Sequence, residues 1–141
     1  MTRSFLICFS FFVLLCLTGC GNGQVGLSGK VVFSDDGSPL NIGTICFSTP
    51  TFQARGEIKA DGTFSMASFG KNDGLPPGTY QVGIIGATED LGGDKIYSIL
   101  DPKWNGPTTS GFSVTVDKTT KNLEIKVDRN PQSREDFQKK K

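Results

Sequence analysis

The sequence predicts an all-β fold, a single antiparallel β-sandwich of about seven strands. Three observations carry that expectation. Apolar and polar residues alternate in short runs such as Phe112–Val116 and Leu123–Val127, the period of a strand with one buried face. Clusters of glycine, proline, aspartate and serine punctuate those runs, as turns between strands require. After residue 20, no stretch carries the three-and-four spacing of an amphipathic helix.

The first nineteen residues stand outside that pattern. Arg3 is followed by Phe5–Leu17, thirteen almost wholly apolar residues. Such a run is too short for a permanent bilayer span and suits the apolar core of a signal peptide. It ends in Leu17-Thr18-Gly19-Cys20, which resembles a bacterial lipobox. That resemblance implies a diacylglyceryl thioether on Cys20, cleavage after Gly19 and acylation of the new amino terminus with a palmitate-like chain. Several acyl chains hold a domain stably at a membrane, where one holds it reversibly. Gly21 stands where an aspartate would resemble the inner-membrane retention signal. The expected location is therefore a lipid-anchored, extracytoplasmic position in the cell envelope, at the outer membrane.

Cleavage would leave 122 residues with fourteen basic and fourteen acidic side chains. A neutral chain gives no electrostatic case for a nucleic-acid partner. Cys8 and Cys16 depart with the signal, so Cys46 is the one cysteine left beside the lipidated Cys20. The fold must hold by packing rather than by an internal disulfide.

Residues 20–24 (C-G-N-G-Q) read as a flexible tether, and the domain is expected over residues 25–128. Val25, Leu27, Val31 and Phe33 share one face of the first extended segment. Ser34–Pro39 breaks it with turn formers. Asn41–Thr49 is the second strand, ended by Pro50, and Phe52–Ala60 the third. Asp61-Gly62 is a turn pair in which Gly62 supplies positive φ, and a hairpin into Thr63–Phe69 is expected. Gly70–Pro77 is a stiff loop, and Gly78–Ile85 is the clearest core strand. Gly86–Asp94 is a polar connection, Lys95–Leu100 a short edge segment and Asp101–Ser110 an irregular stretch. Phe112–Val116 and Leu123–Val127 alternate cleanly and are expected to form a last hairpin. Residues 129–141 are read as a disordered basic tail.

The order of these pieces resembles the carboxypeptidase regulatory-like domain, a transthyretin-like sandwich related to collagen-adhesin B-type modules. It is similar in particular to small lipoproteins of this class from planctomycete bacteria. The resemblance rests on Leu27-Ser28-Gly29-Lys30-Val31, Asp36-Gly37-Ser38-Pro39-Leu40, Gly43-Thr44-Ile45-Cys46-Phe47 and Ala60-Asp61-Gly62-Thr63-Phe64. Leu75–Val82, Ile99–Trp104 and Thr108–Phe112 complete it. It implies a fold and an extracytoplasmic setting, and no peptidase activity.

Histidine is absent. That removes Ser-His-Asp and Cys-His nucleophile systems and the usual histidine-containing zinc sites. It also separates the chain from the transthyretin-like hydroxyisourate hydrolases, whose pattern relies on histidines. An enzyme would have to work with carboxylates alone, drawn from Asp35, Asp36, Asp61, Asp73, Glu89, Asp90, Asp94 and Asp101. All lie in turns or loops, where aspartate commonly shapes the backbone. No cofactor or metal is expected. A calcium site would have to come from Asp35-Asp36 or from Glu89, Asp90 and Asp94, and neither set has EF-hand spacing. Cys46 reads as a small strand residue rather than a nucleophile, and simple alternation places it opposite Ile45 and Phe47, partly exposed and open to an intermolecular disulfide. Trp104 has two readings: a loop aromatic stacking on a sugar or anchoring a partner, or a ring folded back over the core. The leading expectation is a non-catalytic, membrane-tethered binding or structural module whose partner is an envelope protein or a glycan. The alternatives are a carbohydrate-binding module using Trp104 and loop carboxylates, and a carboxylate-only hydrolase.

Overall fold

The computed structural model describes residues 23–90, 92 and 96–132. Among the described residues nine short strands form: β1 (Ser28–Phe33), β2 (Thr44–Ser48), β3 (Gln53–Glu57), β4 (Thr63–Ser65), β5 (Gly78–Ile85), β6 (Thr88–Asp90), β7 (Ile96–Ser98), β8 (Ser113–Val116) and β9 (Leu123–Val127). Seven of them make the sandwich. One sheet has the order β4-β1-β9 and the other β3-β2-β5-β8, while β6 and β7 form a separate two-stranded ribbon. Apart from these, a 3-10 turn (Pro102–Asn105) and one helical turn, α1 (Pro107–Ser110), interrupt the β structure. Both begin with proline, whose fixed φ suits a first helical position.

The two sheets enclose one core. Phe47 of β2 is wholly buried and lies 6.5 Å, centroid to centroid, from Phe64 of β4 in the opposite sheet. Tyr80 of β5 packs 6.1 Å from the other side of Phe47 and donates its hydroxyl to the Pro76 carbonyl at 2.7 Å. Val31, Phe33, Ile125 and Val127 line the three-stranded side, and Ile45, Val82 and Ile84 the four-stranded side. The alternation read from the sequence therefore selects the correct inward face of every one of these strands.

Three connections differ from the sequence expectation. Asp61-Gly62 turns the chain as expected, with Gly62 at φ +81°. However, β3 and β4 then enter opposite sheets, and a single antiparallel bridge between Arg55 and Ala67 joins this corner. The predicted last hairpin is also replaced by a sheet-to-sheet crossing. β8 pairs with β5, and β9 runs parallel to β1 from Gly29↔Leu123 to Phe33↔Val127. Lastly, the domain does not stop at residue 128. Arg129 bridges Leu100, and the Asn130 amide donates to the Ile99 carbonyl at 2.9 Å. The remainder of the expected basic tail, residues 133–141, lies outside the described residues, as do the signal segment and Cys20.

The irregular stretch Asp101–Ser110 lies on the outer face of the four-stranded sheet. A Cβ on Gly83 would meet the Gly106 carbonyl carbon and the Pro107 nitrogen at 2.4 Å, both backbone atoms. Glycine at position 83 is what lets this segment lie flat on β5. The Ser110 hydroxyl then bonds the Val82 carbonyl and accepts from the Phe112 amide at 3.1 Å. Overpacking of this kind costs about 2–3 kcal/mol. Gly83→Ala is therefore expected to lower the urea midpoint by that amount of stability with an unchanged m-value, and an unshifted midpoint would show that the segment is not seated on β5.

Candidate functional site

The overlying segment decides the fate of two residues singled out in the sequence. Cys46 pairs in register with Gly83 and is 1% exposed, not partly exposed. Period-2 alternation puts it on the outer face of β2, but that face is covered because α1 packs on β5 and reaches β2. Burial pushes the thiol pKa up, with Arg55 partly opposing it, so both access and thiolate character are low. The expectation of an intermolecular disulfide is thus corrected. Cys46 is expected to react with a disulfide reagent at least about a thousandfold more slowly in native buffer than in urea, because reaction must await opening of the fold. Comparable rates would contradict the buried placement.

Trp104 takes the second of its two readings. It is 4% exposed and packs against Phe112 at 5.8 Å. Its indole has no open face for a sugar ring, so the carbohydrate-stacking role is withdrawn. The indole Nε1 is buried without a partner at hydrogen-bond geometry, although the ring still makes the smallest contribution to lowering the pKa of Asp128. Asp101 caps the 3-10 turn by accepting from the Lys103 amide at 3.0 Å.

Several of the acidic candidates are occupied by backbone and by cations. Asp36 accepts from the Ser38 amide at 2.9 Å and the Ser38 hydroxyl at 2.6 Å. Asp61 does the same with Thr63, at 3.0 and 2.6 Å. Asp73 accepts three consecutive amides, Ser68 at 2.7 Å, Phe69 at 2.9 Å and Gly70 at 2.7 Å. Asp90 accepts from Gly92 at 2.8 Å. Asp36, Asp61 and Asp90 make Asx turns, each accepting from the backbone two residues on, whereas Asp73 reaches back to amides three to five residues before it.

Asp35 and Asp36 face a cation that the sequence reading had placed in the tail. Arg129 donates from Nε to Asp35 at 3.1 Å and from Nη2 to Asp36 at 2.9 Å and to the Ser38 hydroxyl at 2.7 Å. Its guanidinium lies 3.5 Å from the Phe33 ring centroid, a stacked arrangement suited to a planar, delocalised cation. The position a calcium ion would need is filled by a side chain. Beside it, Lys103 pairs with Asp128, which also accepts from the Ser34 hydroxyl at 2.8 Å. Glu89 and Asp90 lie on the β6–β7 ribbon, and Asp94 lies outside the described residues. Among the described residues no three histidine, cysteine or acidic side chains come together as a metal group. The signal for Arg129 was present: two adjacent aspartates ask for a cation, and Arg129 directly follows the last alternating strand.

Open grooves lie on the surface of the described residues. One, of about 630 Å³, runs past Ile42, Thr44, Arg55, Glu57, Lys59 and Ile85. Another, of about 390 Å³, crosses the outer face of β1, β4 and β9 and holds Glu124 as its single acid. Glu57 is likewise alone in the first groove. Neither supplies the two convergent carboxyl groups that acid–base hydrolysis requires.

No family model matches this chain, and no curated protein does. Two solved structures are similar. A DUF3823 family protein from Bacteroides ovatus aligns at 18% identity over 74% of this chain and 44% of its own, with a TM-score of 0.44. A variant of BcpA, the major pilin subunit of Bacillus cereus, aligns at 13% identity over 76% of this chain and 30% of its own, with a TM-score of 0.46. The chain thus matches less than half the length of either.

The Ser38 hydroxyl and amide, and then Arg129, hold the Asp36 pKa at about 2 against an ordinary 3.8. A depressed folded pKa stabilises above the unfolded value and loses that contribution as pH falls through the folded one. Stability should therefore be level above about pH 4 and decline between pH 4 and 2, a window set by the unfolded and folded values. Asp36→Asn should flatten part of that decline. An Asp36 carboxyl titrating near 3.8 by NMR would refute the assigned hydrogen bonds.

Proposed function

We propose that this chain is a non-catalytic module of the bacterial cell envelope, tethered to a membrane by lipid on Cys20, with its sandwich on the extracytoplasmic side. The carboxypeptidase regulatory-like type is the family reading that goes with it. Its role is to bind or brace another envelope component. The observation that carries the non-catalytic half is the use of the acids. Asp35, Asp36, Asp61, Asp73, Asp90 and Asp101 each hold a turn, a cap or an ion pair. A general acid or base needs a carboxyl whose pKa is raised toward neutrality, whereas Asp36, Asp61 and Asp73 are all shifted the other way. The lipobox-like Leu17-Thr18-Gly19-Cys20 supports the tether.

The tether is tested in cells fed an alkyne fatty acid. The wild-type chain is expected to carry the label in the membrane fraction, with mass spectrometry placing a diacylglyceryl thioether on Cys20 at the mature amino terminus. Cys20→Ala is expected to lose the label. A mature chain beginning elsewhere, or label retained in Cys20→Ala, would overturn the assignment.

A further inference from the structure

The loop Ser68–Asp73 presents the most exposed large apolar side chain among the described residues. Phe69 is 84% exposed. A lone exposed phenylalanine is unremarkable on a mobile loop, but this loop is fixed from three directions. The Asp73 carboxylate gathers the Ser68, Phe69 and Gly70 amides. Phe69 packs edge-on to Phe52 at 6.0 Å, and Phe52 in turn packs on Tyr80 of the core at 6.2 Å. The Gln24 amide donates to the Ser68 hydroxyl at 2.9 Å, and Val25 exchanges two backbone bonds with Leu75.

The last of these contacts places the loop where the chain enters the domain. From Cys20 to Gln24 is four residues, a reach of at most about 14 Å. The strand registers put a second turn at the same end of the sandwich. β5 starts there at Gly78 beside Val116, and β9 starts there at Leu123 beside Gly29. The turn 117–121 between β8 and β9 is therefore at this end too. Lys71, Lys118 and Lys121 are exposed on these two loops. The acids beside them, Asp73 and Asp117, accept from their own loop amides and hydroxyls.

We propose that Ser68–Asp73 is a second membrane contact, with Phe69 seated at the headgroup–acyl boundary and Lys71, Lys118 and Lys121 facing anionic headgroups. The proposal rests on the Cys20 tether, which brings this end of the sandwich to the bilayer. An aromatic ring with neighbouring lysines is the composition favoured at that boundary. The contact orients the domain: a short tether alone fixes its distance from the membrane, and a second point fixes its tilt.

The test uses the full-length lipidated protein, extracted from membranes and reconstituted into phosphatidylethanolamine–phosphatidylglycerol vesicles with brominated acyl chains. The mass of the Cys20 peptide is read first. Wild-type emission comes from Trp104 alone and is expected to be indifferent to the bromines, since that ring is inside the fold. Phe69→Trp adds a second emission, expected to be quenched at least about twofold because an interfacial group sits roughly 5–10 Å into the boundary. Ile96→Trp is the matched control: Ile96 is 74% exposed on the ribbon that follows the opposite end of β5, and its emission is expected to be unquenched. Unquenched emission from Phe69→Trp on a chain whose Cys20 carries lipid overturns the contact and leaves the tether standing, as would result from a protein partner on Phe69. Equal quenching at both positions overturns the proposed orientation. A Cys20 without lipid overturns the tether, and the proposal falls with it.

Discussion

The parallel pairing of β1 with β9 is the constraint on which the rest depends. Neighbouring parallel strands cannot be joined by a hairpin, so everything between Phe33 and Leu123 is the connection that brings the last strand back beside the first. The pairing also makes β1 the central strand of its sheet, with β4 on its other side. Val31 and Phe33 are buried in the one core that residues of β2 and β5 also enter. Because the two strands point the same way, the molecule has two distinct ends. At one lie the entry of the chain and the turns Ser68–Asp73 and 117–121. At the other lie Phe33, Val127 and the ion pairs of Arg129 and Lys103 with Asp35, Asp36 and Asp128.

The chemistry of the acids follows from this architecture. Seven strands in two sheets demand many reversals, and among the described residues, where Cys46 is a free thiol, local bonds secure them. Asp36, Asp61, Asp73 and Asp117 supply those bonds, each accepting a backbone amide within a few residues. A carboxylate so placed is stabilised in its charged form and is a poor proton donor at neutral pH. The same feature that makes the turns reliable therefore removes the side chains from acid–base work. Histidine, the other common acid–base side chain, does not occur in the sequence.

The core was legible in the sequence because its signal is local. Period-2 alternation in Gly78–Ile85, Phe112–Val116 and Leu123–Val127 names the buried set, and Asp61-Gly62 names its own turn. What stayed illegible depends on contacts between distant segments. Whether β8 and β9 pair with each other or cross between sheets is a choice between topologies with identical alternation. Cys46 looked partly exposed because alternation reports which face a residue is on, and not whether another segment covers that face. The one local hint was Gly83, a glycine in the middle of a central strand, which marks close approach of another backbone. Arg129 was assigned to the tail because its neighbours are polar, while its partners lie more than ninety residues away.

The two ends of the sandwich differ in how their charges are disposed, and that bears on what each can meet. At the far end, Arg129 lies between Asp35 and Asp36 over the Phe33 ring, and Lys103 lies on Asp128. Two cations there meet three carboxylates, which leaves that end with one acid in excess. At the entry end Asp73 and Asp117 accept from amides of their own loops, Lys71, Lys118 and Lys121 are exposed beside them, and Phe69 stands at the tip. The two ends thus carry a polarity that the net charge of +1 over the whole sequence conceals. If Cys20 bears lipid, the end that carries Lys71, Lys118 and Lys121 is the one within reach of the bilayer. A partner in the envelope would then meet the opposite half, where Ile42 and Ile85 border the larger groove and Ile96 stands on the ribbon beyond it.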